Sequence, residues 1–461
     1  MKKILSVLLL ACMLVGMLAM AGCQPAANNG ANANFVVPEG GYDGSEVTIT
    51  FSHTMGAKLQ EVLNYHIGEF NKVYPNIKVE HSSAGGWSDI AGQINTQIAG
   101  NNQPNIAYCY PDHVAMYNIA KAVVTLDNLI ADKNVGLTEE QIADFIPGFY
   151  NEGKQYGDGL MYTMPLSKST EVLYYNKTFF EKNNLTVPTT WTEMEALCKQ
   201  ILAIDPTCIP LGYDSEDNWF ITMCEQMGTD YTSATGDHYL FDNAENHGFV
   251  KMLRQWYQDK LVTTESLYGS YTSGLFTNLD PTTARSYMCI GSSGGASYQI
   301  PADDAFEVGV APIPQYNAEK GKVISQGPSL CILKGKNTTD QQIVASWLFV
   351  KYLTTNMAFQ TEFSSTSGYM PVLQSAQQDE NYAAWLAKAD GKAFLTALVV
   401  KVGLEQAQNY FTSPAFNGSS VARTQVGALL VKCMSTETDD VDGLISSAFQ
   451  DAVEECEFLG G

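Results

Sequence analysis

Basic residues are scarce in this chain of 461 residues: 26 Lys and Arg stand against 49 Asp and Glu, a formal net charge of −23. Phosphate backbones and anionic head groups repel such a surface, which excludes nucleic acid as the natural partner. Charged residues of both signs make up only 16% of the chain, with 45% hydrophobic and 11% aromatic. That is too apolar for a disordered chain and too polar for a multi-span membrane protein. None of the ten cysteines stands in C-x-x-C or another zinc-like spacing. No metal or other cofactor is expected. G-x-S-x-G, H-E-x-x-H and P-loop motifs are absent too, so no catalytic residue is assigned. A carboxylate pair of the kind that cleaves glycosidic bonds stays open among so many acids. A soluble α/β or α+β protein remains, about three times the ~150-residue size of one domain and able to bury at least two cores.

The one long apolar run lies at the start. Lys2 and Lys3 precede Ile4 to Met20, and Ala21-Gly22-Cys23 follows, the charged start, greasy middle and small-residue exit of an export signal. The small-small-Cys ending resembles the bacterial lipobox, which implies residues 1–22 as a signal peptide and Cys23 as the lipidated first residue. An uncleaved spanning anchor is the alternative on length. Residues 24–34, rich in Asn, Ala and Gly, read as a tether, so residues 23–44 are expected to form a flexible linker with the folded body beginning near Ser45. Of the eight other cysteines, Cys198 with Cys208 and Cys433 with Cys456 are local disulfide candidates, and the rest read as small buried hydrophobes.

In the body, Val47, Ile49 and Phe51 alternate with polar residues as a half-buried strand does. Leu59, Val62, Leu63, Phe70 and Val73 then recur at helical spacing until Pro75. Ile77-Lys78-Val79 reads as a strand, Ser88 to Ala99 as a helix and Pro104 to Tyr110 as a strand buried on both faces. This βαβαβ order predicts a doubly wound parallel sheet with ligands outside the strands' carboxyl ends, at His53, Ser82-Ser83 and Tyr110-Pro111-Asp112-His113. Thr138-Glu139-Glu140-Gln141 has capping-box spacing. A second α/β unit begins with the strand Glu171 to Tyr175 and continues through Tyr287 to Ile290 and Phe306 to Val310.

Four segments together resemble the family-1 extracellular solute-binding proteins, the ligand-capturing subunits of carbohydrate-class ABC importers of the maltose and glycerol-3-phosphate type. They are the opening strand and helix from Glu46, the strand entry Gly100-Asn101-Asn102-Gln103-Pro104-Asn105-Ile106, the run Pro165 to Phe180 continuing to Val187-Pro188-Thr189-Thr190-Trp191, and the turn Ser367-Gly368-Tyr369-Met370-Pro371. The third, with Tyr175-Asn176-Lys177 closing a strand, is the most specific. The resemblance implies a two-lobe α/β fold of periplasmic-binding-protein class II with ligand between the lobes. Residues 45–165 plus 326–400 would form lobe 1, and 166–325 plus 401–461 lobe 2, with crossings near Leu166 to Ser169 and Ser325 to Ser329. It further implies a sugar or oligosaccharide ligand, an ABC permease with a separate ATPase subunit as partner, attachment to the outer face of the bacterial cytoplasmic membrane through the lipid anchor, and a monomer without enzymatic activity. Glycerol-3-phosphate or a glycerophosphodiester is the alternative ligand, and an exported glycoside hydrolase the alternative function.

Asp112, past a buried strand at the expected cleft edge, is a candidate acceptor for two sugar hydroxyls, and Tyr110 and His113 flank it. Trp219, Tyr369 and Trp87 are candidate platforms for the apolar face of a pyranose, whereas Trp191, Trp256 and Trp347 fall in helical patterns and read as core. Ser169 and Thr170 lie on the first crossing, Ser292 and Ser293 on a strand-to-helix turn with free backbone N–H groups, and Gly327 on the second crossing, where a glycine permits close approach. Arg423 is the candidate for a phosphate. Pro414 to Ser420 nevertheless carries no Arg or Lys, and Pro111 stands where phosphate-type members have Glu, which favours an uncharged ligand.

Overall fold

The computed structural model describes residues 33–460, so the expected signal segment and Cys23 lie outside the described residues. The alternation at Ile49 and Phe51 makes strand β1 (Val47–His53), with those side chains buried in the core. Helix α1 (Ala57–Val73) turns Leu63 and Phe70 inward and ends just before Pro75, which disfavours helical backbone at the residue preceding it. Strand β2 (Ile77–Ser83), helix α2 (Trp87–Gly100) and strand β3 (Ile106–Cys109) follow, and β2 and β3 flank β1 in parallel. Helix α3 (Pro111–Ile119) starts directly after β3 with proline in its first turn, where its missing N–H is no loss. Strand β4 (Met164–Pro165) and the antiparallel β11 (Ser329–Ile332) complete a five-stranded sheet of order β2-β1-β3-β11-β4. Helices α5 (Asp340–Thr355) and α6 (Met357–Ser367) add Trp347, Phe349 and Phe363 to its core.

The second sheet has seven strands built around β5 (Ser169–Asn176). Antiparallel β8 (Met288–Ser292) lies along one side of it, and β9 (Val308–Pro312) and β10 (Val323–Gln326) pair in succession along the other. Beyond β8 come β6 (Leu211–Tyr213) and β7 (Val262–Thr264) in parallel, and β12 (Tyr410–Phe411) pairs beside β10. Its core gathers Trp191, Trp219 and Trp256 with residues of helices α4 (Glu216–Met227), α8 (Ser419–Ser435) and α9 (Val441–Gly460).

Three sequence expectations change. Residues 34–44 are not a free tether: Phe35 is buried, and Asn34 donates to the Val123 carbonyl at 2.7 Å and exchanges bonds with Thr125. Phe35 is the most deeply buried apolar side chain of that stretch, and with Val37 and Tyr42 packed beside it, it pulls the segment onto the first core. The change near residue 400 is less sharp than a single boundary: Val400 packs in the first core while Val399 and Val402 pack in another. Helix α7 (Leu395–Glu405) puts Leu395, Val399 and Val402 in a small core with Val172 and Phe306, and the Gly391 carbonyl accepts from the Val308 N–H. The eight cysteines of the described residues are all buried and all free, so the local disulfide candidates do not form.

The chain passes between the sheets from β4 to β5, from β10 to β11 and again between β11 and β12, and the first two crossings touch. Gly327 has φ +101°, and a Cβ there would lie 2.7 Å from the Lys168 Cα and the Ser167 carbonyl oxygen, so only glycine fits. The Lys168 ammonium, wholly buried, donates to Glu152 at 2.5 Å and to the Ser329 hydroxyl at 3.2 Å, and its backbone bonds Met370 in both directions. Every strand end that faces the other lobe follows from this geometry: the carboxyl ends of β1, β2 and β3 on one side, and of β6, β7 and β8 with the start of β5 on the other.

His53 and His81 end the first of these edges. The Met55 N–H donates to His53 Nδ1 at 3.1 Å, which leaves His53 Nε2 to donate to His81 Nδ1 at 2.9 Å and His81 Nε2 to donate to Asn64 at 3.0 Å. Both rings are neutral in this chain of bonds, and burial, then the neighbouring His81, lowers the His53 pKa to about 4.

Replacing Lys168 by Met should cost about 3–5 kcal/mol of unfolding free energy in urea, because Glu152 is left as a buried unpaired charge, and adding Glu152→Leu should restore most of it; a double variant no more stable than the single one contradicts this account. For His53 the folded pKa lies below the unfolded value, so the unfolded state binds more protons between pH 6.5 and 4 and stability falls with acidification across that window. His53→Asn, which keeps an acceptor for Met55, should flatten that part of the stability-against-pH curve relative to the wild type.

Candidate functional site in the interlobe cleft

The first lobe presents aromatic rings. Trp87 opens α2 and stacks on Tyr110 with centroids 4.1 Å apart and planes 20° apart, and Tyr108 lies behind it at 5.9 Å. The Tyr108 hydroxyl is buried without a partner. Tyr110 precedes α3, and its half-buried ring remains at the cleft edge. Tyr369, on the turn after α6, crosses to the second lobe and lies flat against Gly294, where a Cβ would come within 2.7 Å of its ring. Burial pushes its phenol up to about 12. Tyr271 and Tyr298, 63% and 74% exposed, stand within electrostatic reach of it. Trp87, Tyr110 and Tyr369 are thus brought close to one another.

The second lobe presents acids. Asp214 follows β6 and accepts from the Thr272 N–H and hydroxyl, each at 2.6 Å. Glu216 accepts from the Ser266 N–H at 2.8 Å. Glu265, half-buried after β7, is held up at about pH 7 by burial and then by the nearby charges of Asp214, Glu216 and Asp217. Glu171, fully buried on β5, accepts from the Tyr213 hydroxyl at 2.6 Å and from Asn218 at 3.1 Å, and burial raises its pKa to about 8. These acids come from separate strands and carry no mutual spacing in the sequence, so their convergence was not visible there. The general signal was an acidic residue just past a predicted strand.

Arg423, on α8, joins the two edges. Its Nη1 donates to Asp217 Oδ2 at 2.7 Å and to the side-chain Oδ1 of Asn218 at 2.6 Å, and its Nε lies 3.7 Å from Asp112 across the cleft. Burial alone would lower its pKa, but the carboxylates of Asp217 and Asp112 raise it. Asp112 therefore has both oxygens engaged, one by Arg423 and one by the His113 N–H at 3.0 Å.

Other candidates are buried or already bonded within the fold. Trp219 is fully buried in α4, stacked on Tyr213 at 4.5 Å and beside Trp191, because the polar turn expected before it is the first turn of a helix whose apolar face meets the core. His113, 7% exposed, points its Nδ1 back at the Tyr110 N–H as a helix cap. Thr170 gives its hydroxyl to the Ile324 carbonyl and its N–H to Ser293, so both serve the crossing. Ser292 caps the following turn through the Gly294 N–H, and Ser169 is buried in β5 opposite Gln326. Short polar side chains next to a crossing are consumed by its backbone. Among the described residues no cluster of His, Cys, Asp and Glu is arranged to hold a metal ion.

Known proteins share this architecture. The UgpB protein of Mycobacterium tuberculosis, solved with glycerophosphocholine, superposes with a TM-score of 0.72 at 18% identity over 90% of this chain and 98% of that one. The GacH receptor of Streptomyces glaucescens, solved free and with acarbose, superposes at 0.70 with 16% identity over 88% and 98%. In sequence, the sn-glycerol-3-phosphate-binding periplasmic protein UgpB of Pectobacterium atrosepticum is 25% identical over 342 residues, covering 72% of this chain and 74% of that relative. The family model of the bacterial extracellular solute-binding proteins matches residues 67–390. A chain built of two sheets joined by crossing segments, and which carries that match over most of its folded body, is a member of the bacterial extracellular solute-binding protein family.

Proposed function

We propose that this protein is the lipid-anchored capture subunit of an ABC importer, which closes on an uncharged sugar or oligosaccharide and hands it to a membrane permease powered by a separate ATPase subunit. In this reading Cys23 carries the anchor, the protein works as a monomer on the outer face of the cytoplasmic membrane, and no bond of the ligand is broken. The lobes are residues 34–165 plus 329–386 and residues 169–326 plus 395–460. The observation that carries the ligand class is the pairing of an aromatic edge, Trp87, Tyr110 and Tyr369, with an acidic one, Asp214 and Glu265. A pyranose offers an apolar C–H face to a ring and hydroxyl donors to carboxylates. Closure around it removes water from both edges, so a few such bonds suffice for the ~8 kcal/mol of micromolar capture. Closure also makes a shape that a permease distinguishes from the empty form.

Glycerol-3-phosphate or a glycerophosphodiester is the second reading, favoured by the ligands of the glycerol-phosphate-binding relatives and disfavoured by the acidic second edge.

A thermal-shift screen over sugars, polyols and glycerol phosphates separates these readings. A ligand at 100 times its Kd should add ~2.7 kcal/mol to stability, the hit should be a neutral saccharide recovered unchanged, and Trp87→Ala should weaken it at least tenfold while leaving the ligand-free melting point within a few degrees. Turnover of the saccharide would replace capture with catalysis.

A further inference from the structure

We propose that Arg423 is an interlobe clasp whose charge is neutralised by Asp112 and Asp217, so that this cleft refuses anionic ligands. The inference rests on the solute-capture reading and deepens it, since it names what separates this chain's ligand from a phosphate.

The guanidinium is the cation that a phosphate entering between the lobes would seek. It is already held from both sides. On its own lobe Nη1 meets Asp217 at 2.7 Å and the Asn218 oxygen at 2.6 Å, and across the cleft Nε faces Asp112 at 3.7 Å. The three charged side chains keep only 24%, 26% and 14% of their surface exposed. Asn218 is itself fixed: it exchanges two 2.9 Å bonds with Gln326, at the second crossing, and donates to Glu171. The clasp is thus braced on the hinge and has little freedom to turn toward a ligand.

Two carboxylates against one guanidinium leave the immediate group with a net negative charge, and Asp214, Glu216 and Glu265 stand nearby on neutral partners or on none but each other's fields. A phosphate dianion would have to displace Asp112 from the guanidinium while passing these acids in a partly dry cleft, where like charges repel several-fold more strongly than in water. A neutral polyol meets no such barrier, because carboxylates accept its hydroxyls. Asp112 and Arg423 are therefore specificity-determining and positioning residues. Their pairing also ties α3 of one lobe to α8 of the other, which favours the closed arrangement before any ligand arrives.

Titration calorimetry of the detergent-purified full chain with inorganic phosphate and sn-glycerol-3-phosphate tests this. The wild type should bind neither. D112N should acquire measurable binding of glycerol phosphate, at least tenfold tighter than the wild-type detection limit, and D112N/R423Q should lose it again. D217N, made in parallel, covers the case that D112N fails to fold as judged by circular dichroism. In X-ray scattering the ligand-free R423Q protein should have a larger radius of gyration than the wild type. Wild-type binding of glycerol phosphate that R423Q abolishes would overturn the clasp and make Arg423 a phosphate ligand, as would folded D112N and D217N proteins that gain nothing. A gain in D112N together with no saccharide hit would leave the clasp standing and refute the carbohydrate reading.

Discussion

The contact between the two crossing segments governs the rest of the molecule. Gly327 packs against the Lys168 backbone with no room for a side chain, and the Lys168 ammonium is buried against Glu152 and Ser329 beside that contact. A buried charge pair contributes little net stability over a well-packed apolar substitute, but it tolerates few alternative geometries because each ion must keep its partner. The pair thereby restricts how the segments pass one another. That restriction sets the two sheets edge to edge, and each lobe's ligand-side strand ends face the other's.

The opposed edges differ in chemistry. One lobe offers stacked rings backed by neutral histidines, the other a set of carboxyls drawn from β5, β6, β7 and α4. The chain's overall excess of 49 acids over 26 bases is therefore not only a surface property. Part of it is gathered where water is partly excluded, and there burial and mutual repulsion raise the Glu265 carboxyl to about 7. Arg423 offsets some of this field, and its position on α8 makes the offset depend on how the lobes sit.

Much of the fold was legible along the chain. The βαβαβ start, the capping box at Thr138 and the strand from Glu171 follow from local periodicity and cap chemistry, which act over a few residues. The glycine at the second crossing was legible only through the family resemblance, which implied where that crossing falls. The site was legible only in part. Trp87 and Trp219 both follow polar, turn-like residues, yet Trp87 begins its helix beside the cleft while Trp219 lies on the apolar face of its own and stacks on Tyr213. His113, Ser292, Ser293 and Thr170 looked like ligand contacts because they sit at strand ends, where backbone groups also need partners, and the backbone took them. The docking of residues 34–44 turned on Phe35, Val37 and Tyr42, a few apolar side chains that a composition rule averages away.

By itself the sequence determined the class of the molecule: the order of its first elements, the parallel pairing of β1, β2 and β3, and the family to which it belongs. These depend on residue type and short-range spacing. Only the tertiary structure decided which polar groups face the cleft, that Asp112 and Arg423 meet across it, and that Glu171, Asp214 and Glu265 share one edge. Those pairings join residues up to hundreds of positions apart, and no local rule carries their relative orientation; it is fixed when the two cores pack on either side of the crossing.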